Sequence, residues 1–224
     1  MITENVTIQS PGGPMAAYIA RPDPGKARPA VIVLEGIYGF DDEIRRMTDQ
    51  LGAAGYVGIA VDYLRGKGVP AGFASATIAA DIAAARDWLN AKDYVEHGEV
   101  GAWGFGIGGS VAFLAATLPG ISAAIVFYGQ SIAKGLPDGG DAPIKHADDL
   151  KAPLLLVFGG ADEQVTADDI RRIRSRLDAA GKRYDIEVYA EVGHSFFRQD
   201  RDTVATREIA DAWGRVVAFL ERSF

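Results

Sequence analysis

Along the chain, short apolar runs rich in Val, Ile and Ala alternate with segments whose apolar residues recur every three to four positions. The first pattern is that of buried strands and the second that of helices with one covered face. "NVTIQ" and "MAAYIA" read as an opening pair of strands, and "PAVIVLE" (Pro29 to Glu35) as the first buried central strand. A helix with Ile44, Met47 and Leu51 on one face ends near Gly55, and "YVGIAVD" (Tyr56 to Asp62) is the next strand. Ala74 to Leu89 reads as an Ala-rich helix. "EVGAW" reads as a strand that runs into a glycine-rich turn, and Ser110 to Leu118 as the helix beyond it. "SAAIVFYG", "APLLLVFGG" and "YDIEVYA" complete the strands. Thr166 caps a helix carrying Ile170, Ile173 and Leu177 that stops at Gly181, and Ile209, Trp213, Val216 and Leu220 space a final helix.

This alternation predicts an α/β fold: a mostly parallel central sheet flanked by helices, in a single domain spanning 1–224. No repeat of fixed period and no linker-like tract interrupts it. In such sheets ligands gather beyond the carboxyl ends of the strands, so the residues that follow each strand carry the functional question.

Composition narrows that question. A net charge of -7 without a Lys/Arg block argues against nucleic acid as a partner. No apolar run approaches membrane-spanning length and "MITENVTIQS" lacks signal-peptide character, so the expected location is cytoplasmic, away from membranes. The absence of cysteine removes disulfides, thiolate metal sites and a cysteine nucleophile. The three histidines lack metal-ligand spacing, so neither a metal nor a cofactor is expected.

The turn "GAWGFGIGGS" (Gly101 to Ser110) has two readings. Gly104, Gly106 and Gly109 satisfy the dinucleotide-binding pattern, but no Asp or Glu follows between Ser110 and Pro137 to hold a ribose. The alternative is a nucleophile elbow, in which small residues let strand and helix approach closely around one raised side chain. An elbow requires an acid and then a histidine after later strands, and the chain supplies Asp162 after "LLLVFGGA" and His194 after "YDIEVYAEVG". His97 and His146 lie in polar surroundings that suit the surface, and a turn or helix-start role is the competing reading of Asp162.

"AVIVLEGIYGFDDEIRRMTDQLGAAGYVGIAVDYLRG", "VGAWGFGIGGSVAFLAA", "FGGADEQV" and "VYAEVGHSFFR" together resemble the dienelactone hydrolases of the α/β-hydrolase superfamily over nearly the whole chain. The resemblance implies a cofactor-free hydrolase of small esters or lactones. It further implies that Asp162 orients His194, and that His194 is general base and then general acid. It implies an oxyanion hole from the backbone N–H groups of Ile107 and Ile37, and a grip on a substrate carboxylate by Ser195 and Arg198. Phe105, Tyr38, Tyr128 and Phe196 are candidate pocket walls, with core packing as the alternative for each. The last helix fits either a monomer or a homodimer.

The chain departs from this pattern at the centre. Gly106 stands where the family usually has a cysteine, and Ser110, Ser131 and Ser195 are poorly placed to replace it. The family's glutamate after the first central strand matches Glu35 only with a one-residue shift, which leaves its direction open. Arg65 and Lys67 are the only cations between Asp62 and Asp81, and neither can be assigned as a second carboxylate-binding residue. Three readings of Gly106 stay open: a deliberate replacement of the nucleophile, a hydrolase that uses water, or a pseudoenzyme that binds a carboxylate or lactone without turnover.

Overall fold

A computed structural model of the chain describes residues 1–69, 71–200 and 205–224. Eight strands form one sheet: β1 (Ile2–Ile8), β2 (Met15–Arg21), β3 (Arg28–Leu34), β4 (Val57–Val61), β5 (Val95–Phe105), β6 (Ala123–Phe127), β7 (Leu154–Gly159) and β8 (Tyr184–Tyr189). Their spatial order is β1-β2-β4-β3-β5-β6-β7-β8. β2 pairs antiparallel with β1 and β4, and every pair from β4 to β8 is parallel. Among the described residues, four α-helices lie between strands, α1 (Asp42–Ala53), α2 (Ser75–Asn90), α3 (Ile107–Ala115) and α4 (Ala167–Ala179), and α5 (Thr206–Ser223) follows β8.

Strand periodicity distributes the apolar residues to two layers. On β3, Ile32 and Leu34 join a core beneath α2, α3 and α4, whereas Val31 and Val33 join one beneath α1 and α5. Both layers are sealed: Ile82, Phe113 and Ile173 on one side, and Leu51, Trp103 and Val216 on the other, are 2% exposed or less. The central strands, covered on both faces, therefore read as continuous apolar runs.

The sequence reading finds these elements with shifted ends. β5 begins four residues before "EVGAW": the strand extends back through "EHG", where Gly98 holds φ 89° and the register with β3 shifts, and where no apolar pattern marks it. α3 starts at Ile107, three residues ahead of Ser110, because the glycines after Gly106 are already helical. Thr166 caps α4 as expected, in a reciprocal pair with Asp169: the Asp169 N–H donates to Thr166 Oγ1, and the Thr166 N–H donates to Asp169 Oδ2. A 3₁₀ segment, Pro143–Asp149, lies in a stretch where the sequence predicts no element.

Parallel pairing sends the carboxyl ends of β3, β5, β6, β7 and β8 to one edge of the sheet. Residues that follow those strands meet there, although up to about 160 positions separate them in sequence.

Candidate active site

The turn between β5 and α3 is built from close approach. A Cβ at Gly104 would overlap the Gly108 carbonyl oxygen and one at Gly108 would overlap the Leu34 and Glu35 carbonyl oxygens, so glycine at these positions lets the start of α3 lie against β5 and the end of β3. Gly106, at the apex, holds φ 58° and ψ -117°, and its N–H donates to the Phe127 carbonyl on β6. This pins the apex to the neighbouring strand. A Cβ on Gly106 would find ordinary space, 3.7 Å from both His194 Nε2 and Gln130 Oε1.

His194 and Asp162 arrive from the loops after β8 and β7. His194 Nδ1 donates to Asp162 Oδ2 at 2.7 Å, with the two side chains 12% and 0% exposed. The other oxygen, Asp162 Oδ1, accepts from the backbone N–H groups of Gln164 (2.7 Å) and Val165 (3.0 Å). Both readings of Asp162 thus hold at once: one oxygen organises the turn before α4 and the other orients the histidine. With Nδ1 carrying the proton toward Asp162, Nε2 is the acceptor and faces the open side of Gly106. The Tyr128 ring stands against the imidazole, centroids 5.1 Å apart at 62°.

Gly36, Ile37, Tyr38, Phe105, Gly106, Tyr128, Gln130, His194, Ser195 and Arg198 share one cleft, with Ile44 and Met47 closing its floor. The cleft leaves about 20 Å³ to the centres of water-sized occupants. That suffices for one water and is far below the volume of an ordinary ligand pocket. Ile37 and Tyr38, 46% and 47% exposed, form its outer rim. Ile107, wholly buried, is the first residue of α3, where a backbone N–H has no carbonyl one turn back to receive it.

Several sequence-predicted residues sit differently from a simple pocket list. Arg198 reaches the cleft but is held by Asp41 (Nη2–Oδ2, 2.7 Å) and Asp200 (Nε–Oδ1, 2.9 Å), with Tyr38 over the guanidinium at 4.5 Å. Its charge is already matched, so a substrate carboxylate there would have to displace a protein one. Ser195 lines the cleft at φ 61°, and its carbonyl accepts the Arg198 N–H. Phe196 packs against Phe127 and Tyr189 and lies outside the cleft. Ser110 is buried, its Oγ accepting the Ser131 N–H, and neither serine lines the cleft. Arg65 is tied to the buried Asp81 through two contacts of 2.9 and 3.0 Å and does not reach the cleft.

Glu35 settles in a direction that sequence spacing left open. It is fully buried, with Oε1 accepting the Leu64 N–H at 3.3 Å. Oε2 has no hydrogen-bond partner among the described residues. Its carboxyl is directed toward β4's end and is not among the groups lining the His194 cleft. Burial, reinforced by repulsion from Asp62, pushes it up to about 8, so it is protonated at neutral pH.

Gln130 is the cleft residue that the sequence reading passes over. It lies two positions beyond Tyr128 on the loop after β6, and its Oε1 is buried without a partner among the described residues. Its position just past a central strand is the signal that could have singled it out.

The dienelactone hydrolase family model matches residues 15–224 of the sequence. The chain belongs to the dienelactone hydrolase family. A Synechocystis protein assigned as a carboxymethylenebutenolidase is 31% identical over 231 residues, covering 96% of this chain and 94% of that one. An Escherichia coli K12 protein with the same assignment is 28% identical, covering 96% of this chain and 85% of its own length. Among solved structures, a Klebsiella pneumoniae protein assigned as a dienelactone hydrolase superposes with a TM-score of 0.90 at 27% identity, over 99% of this chain and 98% of that one. A dienelactone hydrolase-like promiscuous phosphotriesterase from metagenomic libraries shares the fold, with a TM-score of 0.82 at 17% identity and complete coverage of both chains. The α/β-hydrolase fold expected from the sequence is therefore the fold of this chain.

Proposed function

We propose that this protein hydrolyses small carboxylic esters or lactones at the Gly106 cleft, with water taking the place of the family's side-chain nucleophile. The observation that carries this reading is the Asp162–His194 pair, whose Nε2 faces the space left by the missing side chain at Gly106. In this reading the Gly106 turn is the elbow of the family and the acyl carbon of the substrate lies above it. Oxyanion donors are the N–H groups of Ile107, at the start of α3, and Ile37, at the rim.

The chemistry is direct general-base hydrolysis. Water oxygen forms a bond to the acyl carbon while its proton passes to His194 Nε2, and the carbonyl electron pair moves onto the oxyanion. Collapse breaks the bond to the leaving alkoxide, which takes the proton back from the imidazolium. Asp162 supports the imidazolium between these steps. A covalent route through the elbow position is closed because glycine supplies no attacking atom there. The carboxymethylenebutenolidase assignment of several relatives supports a lactone among the substrates.

The test is initial-rate hydrolysis of activated esters and five-membered lactones by the chain and by His194→Ala. Turnover by the chain that disappears with His194→Ala supports the reading. Equal turnover by both proteins would remove His194 as the base and overturn the reading, and no turnover by either with binding retained would turn the assignment to a non-catalytic binding protein.

A further inference from the structure

We propose that Gln130 positions the hydrolytic water, forming with His194 a two-acceptor cradle in the space beside Gly106. The inference rests on the water-based reading above and adds a residue to it. A water used as nucleophile must surrender one proton to His194 Nε2 and retain the other. The retained proton also needs an acceptor, since an unsatisfied O–H in a buried cleft is costly and lets the molecule tumble. Gln130 Oε1 is that acceptor: it is buried, has no hydrogen-bond partner among the described residues, and borders the same space.

The distances agree with this role. His194 Nε2 and Gln130 Oε1 each lie 3.7 Å from the point a Cβ on Gly106 would occupy. Both are just past hydrogen-bond range of that point, and a water that shifts slightly toward them comes within reach of each. The cleft's free volume of about 20 Å³ admits about one such molecule. With both protons directed at protein acceptors, the oxygen lone pairs point away from them, toward the acyl carbon that would lie above the turn. Orientation of this kind is where positioning residues contribute to rate. In a family member that has a nucleophilic side chain here, the side chain would fill this space, so the role belongs to a chain with glycine at the apex.

The experiment measures kcat, KM and melting temperature for Gln130→Leu and Gln130→Glu, each in the native chain and in Gly106→Cys. In the native chain, Gln130→Leu should lower kcat by about 10²-fold while KM changes little. In Gly106→Cys the same substitution should cost much less, because the thiol replaces the water that Gln130 holds. Gln130→Glu, which keeps an acceptor, should recover much of kcat in the native chain. It should also move the acid limb of the pH profile upward, since a carboxylate beside Nε2 stabilises the imidazolium. Equal losses from Gln130→Leu in both backgrounds, or native kcat in Gln130→Leu, would overturn the proposal while leaving the water-based reading intact. A native chain without His194-dependent turnover would remove that reading and the proposal with it.

Discussion

Two histidine–aspartate pairs in this molecule show how little residue type alone decides. His194 and Asp162 are 32 positions apart, meet at 2.7 Å, and have side chains 12% and 0% exposed. His146 and Asp149 are neighbours on a 3₁₀ segment, approach at 3.5 Å, and are 48% and 68% exposed. In the first pair the carboxylate also takes two backbone N–H groups and the ring is flanked by Tyr128, so orientation is fixed from several sides. In the second, solvent competes for every contact, and an exposed pair of this kind contributes little. Long-range placement by parallel strands, rather than proximity in sequence, makes the difference.

The largest effect that should separate the pairs is on turnover. His194→Ala is expected to lower the rate of ester hydrolysis by about 10²- to 10⁴-fold, the usual contribution of a general base, whereas His146→Ala should leave it unchanged. Asp162→Asn should follow His194→Ala in direction, because loss of the carboxylate releases the tautomer that presents Nε2, and Asp149→Asn should be silent. Steady-state rates on one activated ester decide all four.

A buried acid without a cation sharpens the contrast further. Glu35 is held up to about 8, while the unfolded chain has an ordinary glutamate near 4.5. The folded state therefore binds more protons than the unfolded one between these values. Stability should fall as pH rises through that window, by up to about 1.4 kcal/mol per pH unit. Glu35→Gln should flatten this slope and leave the protein more stable than the parent at pH 8, as denaturant melts at several pH values would reveal. Persistence of the slope in Glu35→Gln would assign it to other groups.

Smaller effects fall on the backbone and the surface. Gly106→Ala keeps ordinary contacts around its Cβ but places a side chain at φ 58°, so a loss of about 1–2 kcal/mol in unfolding stability is expected. Removing the exposed partner, by Asp149→Asn, should change stability by less than about 0.5 kcal/mol. Paired thermal and denaturant melts would establish this order.

Much of this arrangement was legible before any coordinates. Continuous apolar runs mark the central strands, which are covered on both faces, and period-3.6 patterns mark helices covered on one face, such as α1, α4 and α5. Asp162 and His194 stood out because each follows a strand whose end reaches the same sheet edge. Other features depend on three-dimensional direction, which spacing does not encode. The Glu35 carboxyl turns toward Leu64 and Asp62, and the charge of Arg198 is taken by Asp41, 157 positions away. Gln130 carries no motif at all: its interest arises from an unsatisfied oxygen beside the space left by Gly106.

The central claim is that water attacks the substrate directly in that space. Intact protein mass followed during turnover of an activated ester tests it with least intervention, alongside Gly106→Cys as the comparison. The account predicts that product accumulates while the native chain keeps its mass, and that Gly106→Cys gains an acyl group. An acyl adduct on the native chain during turnover would contradict it, by revealing a nucleophile elsewhere in the cleft.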